Sequence, residues 1–312
     1  MPRALLAVLL TLAVAAGCAG RASANGFSAG KLDVVTAFYP LQFLSERIGG
    51  ATVTVTNLTK PGAEPHDVEL NPRQVAQVAD AGLAVYLKGF QPAVDSAVAQ
   101  EAKGRSFDVS SVIELLPYTG GESEDGSKDP HVWLDPARFA TIAGTLGERL
   151  AQADPAHAAD YRERAKSLRN QLQDLDRAYA ESLTTCARRE LVTSHQAFNY
   201  LAHRYGLTQI GITGVSPEAE PSPRKLAKVA AQARATGTTT IFFETLVSPK
   251  VAETIAREVG ARTAVLDPLE GLTEAEPTRG GKPQNENQKG ADYFSVMRAN
   301  LGALTTALGC TS

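Results

Sequence analysis

The strongest constraint on this chain is the alternation of short β-branched strands with helices, which begins near residue 32. Residues 32–38 (Leu-Asp-Val-Val-Thr-Ala-Phe) read as a strand, 40–48 as a helix ending at Gly49-Gly50, and 52–56 (Thr-Val-Thr-Val-Thr) as the next strand. Asn71-Pro72 opens another helix, since Asn caps well and Pro suits the first turn. That helix stops near Gly82, ahead of a strand at 83–87. Strand and helix in this rhythm specify parallel sheets with covering helices. The pattern resumes after Cys186: strands at 190–194, 238–243 and 262–266, helices at 197–205, 248–259 and 292–308.

Between the two series, residues 160–183 contain no Gly or Pro and space Ala165, Leu168, Leu172, Leu175, Tyr179 and Leu183 at helical intervals. A helix of that length reaches about 40 Å, which suits a rigid strut along two lobes. The expected fold is α/β with two lobes, each a mostly parallel sheet with covering helices, joined by one long rigid helix. The expected units are an N-terminal lobe at 31–154, a linking helix at 155–185 and a C-terminal lobe at 186–312.

The N-terminus carries an address. Arg3 precedes an apolar run over residues 4–14, too short to span a bilayer, which takes about 20 residues. Small residues follow, Ala15-Ala16-Gly17, and then Cys18. Residues 1–17 read as a signal peptide. The Ala-Ala-Gly-Cys segment resembles a bacterial lipobox, with Ala15 where Leu is usual. Cys18 is therefore the expected lipid anchor, and residues 18–30 a flexible tether. The expected location is the outer face of the cell membrane, or the periplasm. In an exported chain the remaining cysteines, Cys186 and Cys310, form the expected disulfide; two buried thiols or a metal pair are the alternatives. The formal net charge of -3, without a basic stripe, argues against nucleic acid as a partner.

Three of the five histidines sit in unusual settings. His66 follows a strand in Pro-Gly-Ala-Glu-Pro-His-Asp, His131 lies in Asp-Pro-His-Val-Trp-Leu-Asp-Pro, and His195 follows the strand at 190–194. Asp267 ends the strand at 262–266, and the carboxyl ends of strands are where open α/β sheets place ligands. Imidazole and carboxylate are both good zinc donors. Residue types alone leave a shared metal site and separate structural roles both open. Glu64 and Glu244 are candidates for alternative ligands or for carboxylates that orient a ligating imidazole. His157 and His203 read as surface or packing residues.

The segments around His66, His131 and His195, together with Leu266-Asp267-Pro268-Leu269, resemble the zinc/manganese solute-binding proteins of ABC importers, in the zinc-type branch of solute-binding protein family 9. Gly211-Ile212, Pro217-Glu218-Ala219-Glu220-Pro221-Ser222 and Asp292-Tyr293 through Asn300-Leu301 extend the resemblance over about residues 32 to 308. It implies a metal bound between two lobes by His66, His131, His195 and Asp267. It also implies a non-enzymatic, monomeric protein that hands its ion to a membrane permease. Manganese binders of this kind usually carry Glu where His195 stands, and nitrogen donors favour zinc, so Zn2+ is expected with Mn2+ as the alternative. Four protein ligands close a tetrahedron, whereas a zinc hydrolase, the rival from another class, keeps a position open for water. The acidic stretch at 120–128 lacks the histidines that zinc members often carry there, and the polar stretch 273–290 lacks them too.

Overall fold

The computed structural model describes residues 26–118, 128–272 and 292–311. The leader, Cys18 and most of the two polar stretches at 120–128 and 273–290 lie outside the described residues. Two sheets organise the rest. In the first, β2 (Lys31–Thr36) pairs in parallel with β3 (Val53–Asn57) on one side and β4 (Leu83–Tyr86) on the other, and β5 (Ser106–Asp108) adds to β4. A two-residue strand, β1 (Phe27–Ser28), lies antiparallel against β2. Helices α1 (Tyr39–Gly49), α2 (Pro72–Asp80) and α3 (Pro92–Glu101) connect these strands.

The second sheet is wholly parallel in the order β7-β6-β8-β9, built from β6 (Glu190–Thr193), β7 (Thr208–Gly211), β8 (Thr240–Phe243) and β9 (Arg262–Val265). Its strands are connected by α6 (Asn199–Tyr205), α7 (Pro223–Ala235) and α8 (Lys250–Val259). Between the sheets run α4 (Pro136–Ala153) and α5 (Ala158–Ser182), and α9 (Tyr293–Leu308) closes the chain.

Local chemistry fixes the helix ends. Asn71 and Gln74 form a reciprocal capping box at α2, with Pro72 in the first turn. Asp135 accepts from the Ala137 and Arg138 amides and starts α4. The spacing read along residues 160–183 matches the buried face of α5, which is Tyr161, Ala165, Leu168, Leu172, Leu175 and Tyr179. At 25 residues, α5 extends about 38 Å.

That strut is not free-standing. It packs most extensively on α4, where Gly147 admits Ala165: a Cβ on the glycine would stand 2.5 Å from the alanine methyl. Arg164 donates to the Ile48 and Gly49 carbonyls at the end of α1, and the Tyr179 hydroxyl donates to the Met297 carbonyl of α9 at 2.6 Å. One hydrophobic core therefore runs from Leu32 and Phe107 in the first half through Leu168 and Leu175 to Leu191, Tyr200 and Leu304 in the second. A smaller core around Val192, Ile241 and Ile255 lies under α7 and α8. Cys186 and Cys310 are joined in a disulfide across 124 residues, as expected, beside backbone bonds from Ala187 to Gly309 and from Arg188 to Leu308.

Candidate metal centre

Each of the three unusual histidines is held by a loop that leaves, or packs against, the carboxyl end of a sheet. His66 follows β3 in a turn fixed by Glu64, whose Oε1 accepts the His66 amide at 3.0 Å. Gln91 donates to the Pro65 carbonyl at 2.9 Å, and the Phe90 ring stands edge-on to the imidazole. His131 precedes a single 3-10 turn, Val132–Leu134, and is fully buried. Asp129 Oδ1 accepts both its backbone amide, at 2.9 Å, and its Nδ1, at 2.8 Å. His195 follows β6, is also fully buried, and has its Nδ1 2.6 Å from Glu244 Oε1, which accepts its amide as well.

The Nε2 atoms of all three rings converge on one carboxylate, Glu270. Its Oε1 lies 2.8 Å from His131 Nε2, 3.2 Å from His66 Nε2 and 3.3 Å from His195 Nε2. The His131 and His195 Nε2 atoms are 3.4 Å apart. One donor atom from each of the four residues lies within 4.8 Å of all the others. Bonds of 2.0–2.2 Å in a tetrahedron place neighbouring ligand atoms about 3.4 Å apart. The cluster has the dimensions of a zinc coordination shell.

The expected fourth member, Asp267, stands elsewhere. Both its oxygens are engaged: Oδ1 accepts the Leu269 amide at 2.8 Å and Oδ2 the Thr245 hydroxyl at 3.1 Å. Glu270, three residues on, takes the position expected of it. The cause is the chain's path after β9, where Leu269 adopts a left-handed backbone with φ of 59° and turns the next side chain back toward the histidines. Nothing in the residue types of Asp-Pro-Leu-Glu distinguishes the first carboxylate from the last. Glu244 Oε1 stands 2.6 Å from His195 Nδ1, and Glu64 bonds the His66 backbone with its Oε1 4.0 Å from the imidazole Nε2. His203 lies on α6, lining a cleft with Asp135, Arg138 and Arg204, and His157 pairs with Asp154 at 2.7 Å; neither belongs to the cluster.

Electrostatics bind the cluster as a unit. Burial alone would push the Glu270 carboxyl up, but the facing imidazoles of His195, His131 and His66 hold it well below the usual carboxylate range. Burial alone would lower His195, and the carboxylates of Glu244 and Glu270 instead raise it well above an ordinary imidazole. His131 is raised by Asp129 and Glu270 against the same opposing burial. His66 is lowered by burial, which Glu270 only partly offsets. Glu64 is pushed up to about 8, by burial first and then by the charge of Glu270. The carboxylates thus favour positive charge at His195 and His131, where a cation is suited to sit.

Two cavities border the centre. His66 lines an open groove of about 680 Å³ with Asp67, Glu69, Ser96 and Gln100. Glu270 lines a smaller cavity of about 180 Å³ with Tyr39, Asn57 and Lys60.

Comparison with known proteins places this geometry in context. Residues 34–307 match the family described as zinc-uptake complex component A, periplasmic. The chain is 35% identical, over 96% of its own length, to the zinc-binding lipoprotein AdcA of Streptococcus pneumoniae, and it spans 59% of that longer protein. It is 34% identical to the high-affinity zinc uptake system protein ZnuA of Bacillus subtilis, over 97% of this chain and 96% of that one. The solved structure of the Zn(II)-bound ZnuA-like domain of Streptococcus pneumoniae AdcA is similar with a TM-score of 0.75 and 35% identity, covering 89% of this chain and 99% of that one. A laminin-binding protein of Streptococcus agalactiae, described as having adhesin and metal-transporting activity, gives a TM-score of 0.76 at 32% identity, over 88% of this chain and 99% of that one.

Proposed function

Because the chain belongs to the zinc-uptake complex component A family, we propose that it is the extracytoplasmic zinc-binding component of an ABC importer, capturing Zn2+ between its two halves and delivering it to the membrane permease. The observation that carries this reading is the convergence of His66, His131, His195 and Glu270, whose donor atoms all lie within 4.8 Å of one another. Each histidine offers Nε2, and Glu270 offers Oε1. Asp129 accepts from Nδ1 of His131, which fixes the tautomer that leaves its Nε2 free for a cation, and Glu244 Oε1 stands 2.6 Å from Nδ1 of His195.

Three imidazoles and one carboxylate suit zinc better than manganese, which prefers oxygen donors. Four protein donors close the shell, so the ion is cargo and not a catalyst that keeps a site for water. The same reading has the protein exported, held at the membrane through lipid on Cys18, and acting as a monomer. It treats 31–154 and 186–312 as the two lobes, with 155–185 as the link. Among the described residues, no helix is long and apolar enough to cross a membrane.

The decisive experiment is metal analysis of the purified protein, followed by competitive titration of the metal-free form with Zn2+ and Mn2+. One zinc per chain, bound far more tightly than manganese, is expected. Equal affinities would refute the zinc assignment, and failure to bind either ion would refute the function.

A further inference from the structure

Resting on the assignment of Glu270 as a zinc ligand, we propose that Asp267 is the positioning residue that holds Glu270 in the coordination shell, through a brace on the left-handed backbone of Leu269. The positive φ of Leu269 is unfavourable for a branched side chain and persists only where its surroundings impose it. Those surroundings grip three consecutive residues. Asp267 Oδ1 takes the Leu269 amide, a side-chain bond to the backbone two residues on that stabilises tight turns. Asn300 of α9 bonds Asp267 on both sides, accepting its amide at 2.9 Å and donating to its carbonyl at 2.7 Å. Trp133 Nε1 donates to the Pro268 carbonyl at 2.7 Å, and the Leu269 side chain is fully buried. The next residue is Glu270, aimed at the three imidazoles.

The brace also sets the register between two donors. Thr245, which bonds Asp267 Oδ2, is adjacent to Glu244, which stands against His195. One short segment after β8 thus supports His195 directly and Glu270 through Asp267.

The amide of Asn at position 267 retains both contacts. Its oxygen accepts the Leu269 amide, and its NH2 donates to the Thr245 hydroxyl, which can accept as readily as donate. A ligand would respond differently, since a neutral amide is a poor replacement for a zinc-bound carboxylate.

The test is zinc competition titration and the visible spectrum of the Co2+ form for Asp267→Asn, Asp267→Ala and Asn300→Leu in the full chain. Circular dichroism of the metal-free variants checks their fold. Asp267→Asn is expected to hold zinc within about threefold of the parent and keep its Co2+ bands. Asp267→Ala is expected to weaken zinc roughly 10–100-fold, the usual cost of losing an outer-shell support, and to shift the bands as the carboxylate donor loosens. Asn300→Leu, which touches no donor, is expected to follow Asp267→Ala. Loss of affinity in Asp267→Asn as large as in Glu270→Gln would make Asp267 itself a ligand and overturn the proposal. Parental affinity and bands in Asp267→Ala would overturn it as well. A parent protein that binds no zinc would instead defeat the function from which the argument starts.

Discussion

Zinc affinity should fall steeply with acidity, and the cluster says by how much. In the metal-free protein the facing carboxylates raise His195 well above the ordinary imidazole value and raise His131 as well, so zinc competes with protons at both rings. His66 is lowered and Glu270 stays ionised, so neither has a proton for zinc to displace. Each proton that zinc displaces makes affinity change about tenfold per pH unit, or about 1.4 kcal/mol. Between pH 7 and pH 6 the dissociation constant should rise roughly 10–100-fold. The stability of the metal-free form has the opposite sign. Groups raised above their unfolded values contribute fully below the unfolded imidazole pKa and lose that contribution as pH rises through the folded one. The metal-free protein should thus lose stability going alkaline while its zinc affinity improves. Calorimetric titration in buffers of different ionisation enthalpy counts the protons directly. Glu244→Gln should bring the slope down toward a single proton, because His195 loses its main anionic neighbour. A dissociation constant that moves less than about twofold between pH 7 and pH 6 would refute the reasoning, since it would mean that the site holds no displaceable protons.

Glu270→Gln should weaken zinc by more than the roughly 100-fold upper range for outer-shell losses, whereas His203→Ala should leave it unchanged; competition titration against a chelator measures both. Cys310→Ser opens a loop whose ends are 124 residues apart, for which chain entropy gives about 5 kcal/mol of lost stability and a melting temperature lower by roughly 10 °C. Calorimetry tests this, and a change below about 1 kcal/mol would show that backbone bonds such as Ala187 to Gly309 hold the tail unaided. Exchanging zinc for manganese should not restore the thermal shift that zinc confers, because the donor set offers one oxygen against three nitrogens.

How much of this was legible in the sequence follows from the range of the forces involved. Strands such as β2, β6 and β8 and the buried face of α5 announce themselves in local periodicity, and so they emerged within a residue or two of their observed ends. Helix α4 carries its stripe less openly, with Gly144 and Gly147 inside it, and the sequence reading did not single it out. The short strands β5 and β7 owe their pairing to β4 and β6 and carry little signal of their own. At the centre, His195 stands out by its place at a strand end and His66 by a loop soon after one, while His131 joins them through the motif around it. That Glu270 and not Asp267 faces the histidines is not legible in the sequence, because it follows the backbone torsion at Leu269. Asp267 holds the Leu269 amide, and Asp267 and Pro268 are in turn held by Asn300, Thr245 and Trp133, all distant in sequence.

The core that runs without a break from Leu32 through α5 to Leu304 has a consequence for the cell's view of this molecule. Under the proposed function, an ion held by residues from both halves against that shared core would stabilise the halves together. At a free zinc concentration a thousandfold above the dissociation constant, that linkage is worth about 4 kcal/mol. On that reading, scarcity of the ion withdraws this support from both halves at once.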